Sequence, residues 1–259
     1  MKYIFSTHVI PLIQQKSKTG FIEHRTLLTA GVGESYLAEK IQGYEKQIPS
    51  NIKLAYLPNS GMVRLRLTAF GFDKDELQHQ TNHQFNLLKK EVEEFLVVDE
   101  DIPMEHALGK LLLSKNKTIS TAESCTGGLI ASLIASIAGA SNYFKGSVVS
   151  YDNDIKKNVL HVSDETLKTV GAVSEETVTQ MAEHVARIMQ TDYAIAVSGI
   201  MGPDGGTAEK PVGTVWIAVT NTKKTITQKF NFRYERERNI RLTATNALLL
   251  ALKFIKQGN

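Results

Sequence analysis

Thr121-Ala122-Glu123-Ser124-Cys125-Thr126-Gly127-Gly128 is the stretch on which the reading of this chain turns. Thr118 to Ala122 ahead of it reads as a short strand, and Leu129 to Ile137 behind it as an apolar helix. A strand that turns through two adjacent glycines into a helix lets backbone come close to a ligand and aims free N–H groups at it. Ser124 then stands at the rim of a sheet beside anion-stabilising donors, a sound place for an acyl-transfer nucleophile and its oxyanion hole. On spacing alone the plainer alternative is the stronger one: a serine that caps the helix, with glycines chosen for packing.

Strands and helices alternate outward from this turn. A helix at Met104 to Ser114 precedes it, and Gly146 to Tyr151 follows as a strand. Ser174 with Glu175 and Glu176 opens a helix that runs to about Gln190, a serine cap with an acidic first turn. Tyr193 to Val197 is short and wholly apolar, which predicts the centre of a sheet. Gly213 to Thr220 and Thr225 to Phe232 are further strands, and Arg236 to Ile255 a final helix. This is α/β layering over residues 101–259. Residues 1–100 read as a smaller α+β domain, with a strand at Arg25 to Thr29, a turn at Gly31-Val32-Gly33 and a helix from about Glu34 to Gln47. A hairpin of Ile52 to Leu57 and Val63 to Phe70 follows, turning through Pro58-Asn59-Ser60-Gly61. Asp73 then caps a long helix reaching about Phe95. Acidic Val97 to Pro103 is the expected boundary.

The composition excludes several classes. With 42% hydrophobic and 22% charged residues the chain has ordinary globular proportions. A net charge of +3 is too mild for a protein that lives on phosphate backbones. The densest basic stretch, Arg233, Arg236, Arg238 and Arg241, is diluted by Glu235 and Glu237. One cysteine permits no disulfide within the chain, no signal peptide is visible, and no apolar run approaches the ~20 residues of a membrane span. The expectation is a cytoplasmic protein.

A serine nucleophile needs a base. Gly-x-Ser-x-Gly is absent, and Gly127 stands where Ser-x-x-Lys would need its lysine. The seven histidines, at 8, 24, 79, 83, 106, 161 and 184, show no motif partnership with Ser124. Lysine is the remaining choice, and Lys156 lies just past the strand ending at Tyr151, in Tyr151-Asp152-Asn153-Asp154-Ile155-Lys156. A strand parallel to the first would deliver this segment to the same rim, and burial would depress the amine's pKa. By itself this is weak, since most loop lysines are merely solvated. A second glycine-dense loop, Ser198-Gly199-Ile200-Met201-Gly202-Pro203-Asp204-Gly205-Gly206-Thr207, also follows an apolar strand, with Lys210-Pro211-Val212-Gly213-Thr214 behind it. Successive glycines can form a nest of N–H groups for phosphate or carboxylate.

The first turn, the Tyr151/Asn153/Lys156 segment, Gly171-Ala172-Val173-Ser174, the Ser198 to Gly206 loop and Lys210 to Val215 together resemble the CinA family in order and spacing. The matching part, about residues 102–259, resembles its nicotinamide-nucleotide amidohydrolase domain. The resemblance implies hydrolysis of the carboxamide of nicotinamide mononucleotide to nicotinate mononucleotide and ammonia, in pyridine nucleotide recycling, with no cofactor. It implies Ser124 as nucleophile, Lys156 as its base and Tyr151 as a supporting proton or hydrogen-bond group. Substrate would be held by Thr126, Gly127, Gly128, Asn153, Ser198, Gly199, Gly202, Gly205 and Gly206. Arg236 would meet the phosphate, with Arg238 and Arg241 as near alternatives. Met201 stands where the family more usually has alanine. Residues 1–100 resemble the family's KH-like middle domain, through Gly31-Val32-Gly33-Glu34-Ser35, Tyr56-Leu57-Pro58 and Val63 to Leu67. Met1 to Gln15 resembles only the last helix of the molybdopterin-binding-like domain that precedes it in full-length members. The expectation is therefore a shortened chain without that domain's pyrophosphatase activity.

Cys125 is a rival nucleophile, but a small buried residue beside the serine is the better reading. His79 and His83 are four apart on a helix without a glutamate between them, so a metal site is not expected. The rival class is a non-catalytic nucleotide- or nucleic-acid-binding module. Gly31-Val32-Gly33 lacks the Gly-x-x-Gly spacing of nucleic-acid-binding KH loops, so a structural or dimerising role is expected there. The expected partners are a small nucleotide substrate and further copies of the chain, as a homodimer or larger oligomer.

Overall fold

Alternation along one strand organises the first part of the chain. Val63, Leu65, Leu67 and Ala69 are buried while Arg64, Arg66 and Thr68 between them face the other way. The computed structural model describes residues 2–16, 20–221 and 223–258. Two compact units divide it, Met1–Asp101 and Ile102–Asn259.

In the first unit β1 (Phe21–Ala30), β2 (Ile52–Asn59), β3 (Met62–Gly71) and β4 (Leu96–Val98) form an antiparallel sheet in the order β2-β3-β1-β4. The β2–β3 hairpin turns on Ser60 and Gly61, with φ of 42° and 81°. Paired positive φ values make the tight turn whose twist suits a hairpin. Helix α5 (Lys74–Glu91) starts where the Asp73 side chain accepts from the Glu76 N–H at 3.0 Å. It buries Leu77, Thr81, Phe85 and Leu88, one face at helical spacing. Leu37, Ile41 and Tyr44 join Leu27, Leu65 and Leu67 in the same core, so the helices cover one face of the sheet.

The single helix expected over 34–47 is two, α3 (Glu34–Lys40) and α4 (Gln42–Glu45), because Ile41 leaves helical geometry at φ −98°, ψ 12°. The long helix ends at Glu91, followed by a 3-10 turn at Glu93–Phe95. Part of the expected linker is β4, which pairs beside β1 through Leu28↔Val98 and Thr29↔Leu96. Ahead of β1 the backbone is helical at α1 (Lys2–Ile4), a π-helical turn at Phe5–Val9 and α2 (Ile10–Lys16). Met1, part of the terminal segment compared above, lies outside the described residues.

The second unit begins with α6 (Met104–Ser114) and builds a five-stranded sheet. Its strands are β5 (Ile119–Glu123), β6 (Phe144–Val149), β7 (Tyr193–Gly199), β8 (Thr214–Asn221) and β9 (Thr225–Asn231), in the order β6-β5-β7-β8-β9. β5 runs parallel to both neighbours, while β7-β8-β9 is antiparallel. The apolar strand at Tyr193 is the central one, as its composition predicts. Helix α7 (Leu129–Ala135) follows β5, the short helices α8 (Asn153–Asn158) and α9 (Asp164–Thr169) follow β6, and α10 (Glu175–Met189) precedes β7. The chain closes with α11 (Arg236–Lys256). Ala122, Ala194, Ala196 and Ala218 share a core with Val178, Met181, Ala182 and Val185 of α10. Small side chains there let the helix lie close on the sheet. α6, α7 and α11 pack with one another, α11 also touching β7 and β8, so the sheet is a layer between helices. Among the described residues no helix is long and apolar enough to cross a membrane.

β5, β6 and β7 are parallel, and β5 lies between two strands that come after it in sequence. Chain excursions therefore leave to either side of β5, and the carboxyl ends of these strands form the rim where open α/β sheets generally place ligands.

Enlarging the alanine surface under α10 should strain it. Ala196→Leu is expected to cost about 1–3 kcal/mol as a lowered urea midpoint at unchanged slope, whereas Gln228→Ala on exposed β9 should stay within about 0.5 kcal/mol of the parent.

Candidate functional site

Glu123 is the last residue of β5 and is fully buried. Its carboxylate accepts from the Thr126 hydroxyl at 2.6 Å, the Ile130 N–H at 3.0 Å, the Ala131 N–H at 2.7 Å and the Thr121 hydroxyl at 3.3 Å. It thus caps α7 from seven residues upstream. Gly127 and Gly128, at φ +62° and +99°, carry the chain through two consecutive left-handed residues that side chains would strain. Gly128 holds the N-cap position. Ser124 is therefore not the cap that the plainer sequence reading made it. Its N–H donates to the Val197 carbonyl of β7 at 3.1 Å, and the residue is 8% exposed. Sequence reasoning expected the first N–H groups of α7 to stand ready for an anion. Those of Ile130 and Ala131 are instead taken by Glu123, and the Gly127 and Leu129 amides close the turn onto the Ser124 and Thr126 carbonyls. The Thr126 hydroxyl, expected at the substrate, is spent on the same carboxylate.

The end of β6 supplies the neighbouring rim. The Ser150 N–H donates to the Glu123 carbonyl at 2.8 Å, continuing the pairing of Glu123 with Val149. Asp152 caps α8 by accepting from the Asp154 N–H at 2.7 Å. That helix turns Lys156 inward, so Lys156 sits on a helix and not in the expected loop. The side chain is 1% exposed, and its Nζ donates to the Ser150 carbonyl at 2.7 Å and to the Tyr151 carbonyl at 3.3 Å. Burial pulls its pKa below the ordinary lysine value, with Asp152 and Cys125 acting in the opposite sense. Among the described residues no hydrogen bond joins Nζ to the Ser124 hydroxyl. Both Lys156 and Arg236 nonetheless act on the thiol of Cys125, the next residue. Burial pushes that thiol up to about 12, so it stays protonated near neutral pH. Asn153 opens α8 and is exposed.

The third rim is the loop after β7. The buried Ser198 hydroxyl donates to the Ala172 carbonyl at 2.7 Å, and Lys210 Nζ donates to the Val170 carbonyl at 2.6 Å. Both fasten the loop to the Gly171-Ala172 segment. On its other side Arg236, the first residue of α11, donates through Nη1 to the Gly202 carbonyl and through Nη2 to the Tyr151 hydroxyl, each at 2.8 Å. Asn239, one turn along, donates to the Met201 carbonyl at 3.2 Å. The Gly202–Pro203 peptide is cis. Gly199 is needed where it stands, since a Cβ would come within 2.7 Å of Val215 and 3.0 Å of Met201. Gly202 is buried, and residues 203–209, with Gly205 and Gly206, are exposed. Arg238 lies 3.8 Å over the Tyr234 ring and Arg241 pairs with Glu237 at 2.9 Å. Arg236 is thus the arginine that joins the loops.

Sequence reasoning gave no role to Glu123, Ser150, Lys210 or Asn239. The spacing of Glu123 and Thr126 is the one local signal for any of them. A cleft of about 660 Å³, lined by Glu183, Arg187, Asp192, Lys223 and Lys224 among others, opens at the opposite end of β7 and contains none of the expected site residues. His79 and His83 are exposed on α5. Among the described residues no group of three or more His, Cys, Asp or Glu is placed to hold a metal ion.

The family description "CinA C-terminal domain" matches residues 101–255, and "Damage-inducible protein CinA KH domain" matches residues 24–96. A CinA-like protein of Flavobacterium psychrophilum is 46% identical over 98% of this chain and 61% of its own length. One from Cytophaga hutchinsonii is 44% identical over 99% of this chain and 62% of its own. The chain therefore spans about three-fifths of the length of these curated relatives. Among solved structures, the competence damage-inducible protein A from Klebsiella pneumoniae aligns with a TM-score of 0.57 at 33% identity, over 58% of this chain and 93% of that one. The competence/damage inducible protein CihA from Agrobacterium tumefaciens aligns at 0.55 with 38% identity, over 59% of this chain and 97% of that one.

Removing the Glu123 carboxylate would strand buried donors. Glu123→Ala is expected to cost about 3 kcal/mol or more in urea unfolding, with Glu123→Gln losing less because one oxygen still accepts.

Proposed function

Since this chain belongs to the CinA family, we propose that its C-terminal unit hydrolyses the carboxamide of nicotinamide mononucleotide, releasing nicotinate mononucleotide and ammonia. The observation that carries this reading is the buried Lys156 beside the turn that bears Ser124, at the carboxyl ends of adjacent parallel strands. A lysine that is deeply buried and has no carboxylate bonded to its Nζ favours the neutral amine, the form a base requires.

In this mechanism Ser124 Oγ attacks the carboxamide carbon as its proton passes to the Lys156 amine. The C–O bond forms, the carbonyl π bond opens, and the oxyanion is met by amides of the turn such as those of Thr126 and Gly128. Collapse breaks the C–N bond, with the Lys156 ammonium returning its proton to the departing nitrogen, so ammonia leaves and an ester on Ser124 remains. Water then attacks that ester, again giving a proton to Lys156, and Ser124 is restored as the acid departs. Tyr151 supports the site by accepting from Arg236. The guanidinium N–H groups that Gly202 and Tyr151 do not occupy are suited to the substrate phosphate. The glycines of the 198–206 loop, with Asn153, would border the nucleotide. The same reading includes a cytoplasmic homodimer or larger oligomer.

Ammonia release from nicotinamide mononucleotide is the direct test, and no release by the parent protein would sink the proposal. Ser124→Ala is expected to lower kcat at least about a thousandfold, and Lys156→Ala by about 10²–10⁴-fold. Cys125→Ala should keep most of the activity. Because Lys156 must be neutral to accept a proton, kcat/KM should rise with pH through a limb lying below 10.5, the ordinary lysine value. A limb at or above that value would count against Lys156 as the base.

A further inference from the structure

Ser150 stands between the two groups that the proposed chemistry needs together. Its N–H holds the Glu123 carbonyl, one peptide from Ser124, and its own carbonyl holds Lys156 Nζ. Its side chain does neither. Ser150 is fully buried, and its hydroxyl oxygen has no hydrogen-bond partner among the described residues. A buried hydroxyl without a partner destabilises a fold where alanine would not, so its presence calls for a reason outside stability. The acceptors of Lys156 are also unequal. The Ser150 carbonyl lies at 2.7 Å and the Tyr151 carbonyl at 3.3 Å, so one N–H is held well and the next poorly.

The geometry points to Ser150 as a positioning residue for Lys156: its hydroxyl is the acceptor that takes the weakly held N–H once Lys156 has become an ammonium. This inference rests on Lys156 acting as the base. While Lys156 is neutral, its amine has two N–H groups for the two carbonyls and a lone pair for the Ser124 proton. Proton transfer breaks the Ser124 O–H bond and forms a third N–H. In a dry site the new charge needs a better partner than a carbonyl at 3.3 Å. On this inference, rotation about the Ser150 Cα–Cβ bond is what lets its oxygen accept, next to the carbonyl of the same residue that already holds Nζ. The newly formed N–H then remains aimed at the nitrogen that must leave. On this inference the hydroxyl is unbonded while Lys156 is neutral and bonded once Lys156 is charged.

Ser150→Ala and Ser150→Thr, measured beside Lys156→Ala, test this. The expected result for Ser150→Ala is a kcat about tenfold lower, with KM within about twofold of the parent. The ammonium loses a partner, so the acid limb of the pH profile should move to lower pH. Its melting temperature should be unchanged or higher. Ser150→Thr, which keeps a hydroxyl, should restore kcat and the limb. An NMR titration of ¹³Cε-labelled lysine reads the same shift without turnover: the Lys156 signal should titrate at lower pH in Ser150→Ala. Parent-like kcat with an unmoved titration would overturn the inference. So would an activity loss that tracks a fall in melting temperature and is not rescued by threonine. If Lys156→Ala is inactive while Ser150→Ala is unaffected, only the role of Ser150 fails. If Lys156→Ala keeps full activity, the base assignment itself fails and the Ser150 inference with it.

Discussion

A carboxylate sealed away from water governs the shape of the second unit's rim. Glu123 belongs at once to the sheet, through its backbone, and to helix α7, through its side chain. Burying an unpaired carboxylate is prohibitive, so the fold must bring donors to it. The donors available are the N–H groups that any helix leaves unsatisfied at its start, and these tolerate negative charge through the helix dipole. The two needs cancel, but only if the connecting residues fold back tightly. That requirement explains consecutive glycines in left-handed geometry, and it puts Ser124 at the bend, held by Val197 of the adjacent strand.

The rest of the rim is held in a comparable way, by polar side chains tied to backbone carbonyls. Lys156 grips Ser150 and Tyr151, Ser198 grips Ala172, Lys210 grips Val170, and Arg236 grips Gly202. Each contact joins segments distant in sequence or closes a turn, and each satisfies a carbonyl that irregular chain would leave without a ladder partner. Arg236 also reaches the Tyr151 hydroxyl, so the helix that closes the chain fixes the geometry of loops from two different strands.

The alternation of elements was legible because a long helix buries residues at helical spacing, as in Leu77, Thr81, Phe85 and Leu88, and a central strand is apolar throughout, as in Tyr193 to Val197. Several of the shortest elements were not. β4, α8 and α9 are too short for a period to show, although Asp152 and Ser163 were available as caps. Most of the residues expected at the site follow neighbouring strand ends, because parallel pairing of β5 with β6 and β7 brings those ends together, while Arg236 comes from the start of α11. Their local tasks were not legible. Thr126 and Ser198 read as candidate contacts for substrate, and the folded chain shows that their hydroxyls hold the scaffold. Which of Arg236, Arg238 and Arg241 faces the loops depends on Tyr234, Glu237 and Gly202, groups that only the folded chain arranges around them.

The loop after β7 is fastened at both roots, by Arg236 and Asn239 on one side and Lys210 on the other, while residues 203–209 stand free in solvent. Such a layout separates what must be inherited intact from what can drift. Substitutions at exposed tip positions such as Asp204 and Ala208 leave the anchors untouched, whereas Gly205 sits at φ +91° and a Cβ on Gly206 would come within 2.7 Å of the Val212 nitrogen. Variation in lineages carrying this fold is therefore expected to concentrate at those tip positions and to spare the two glycines and the anchors.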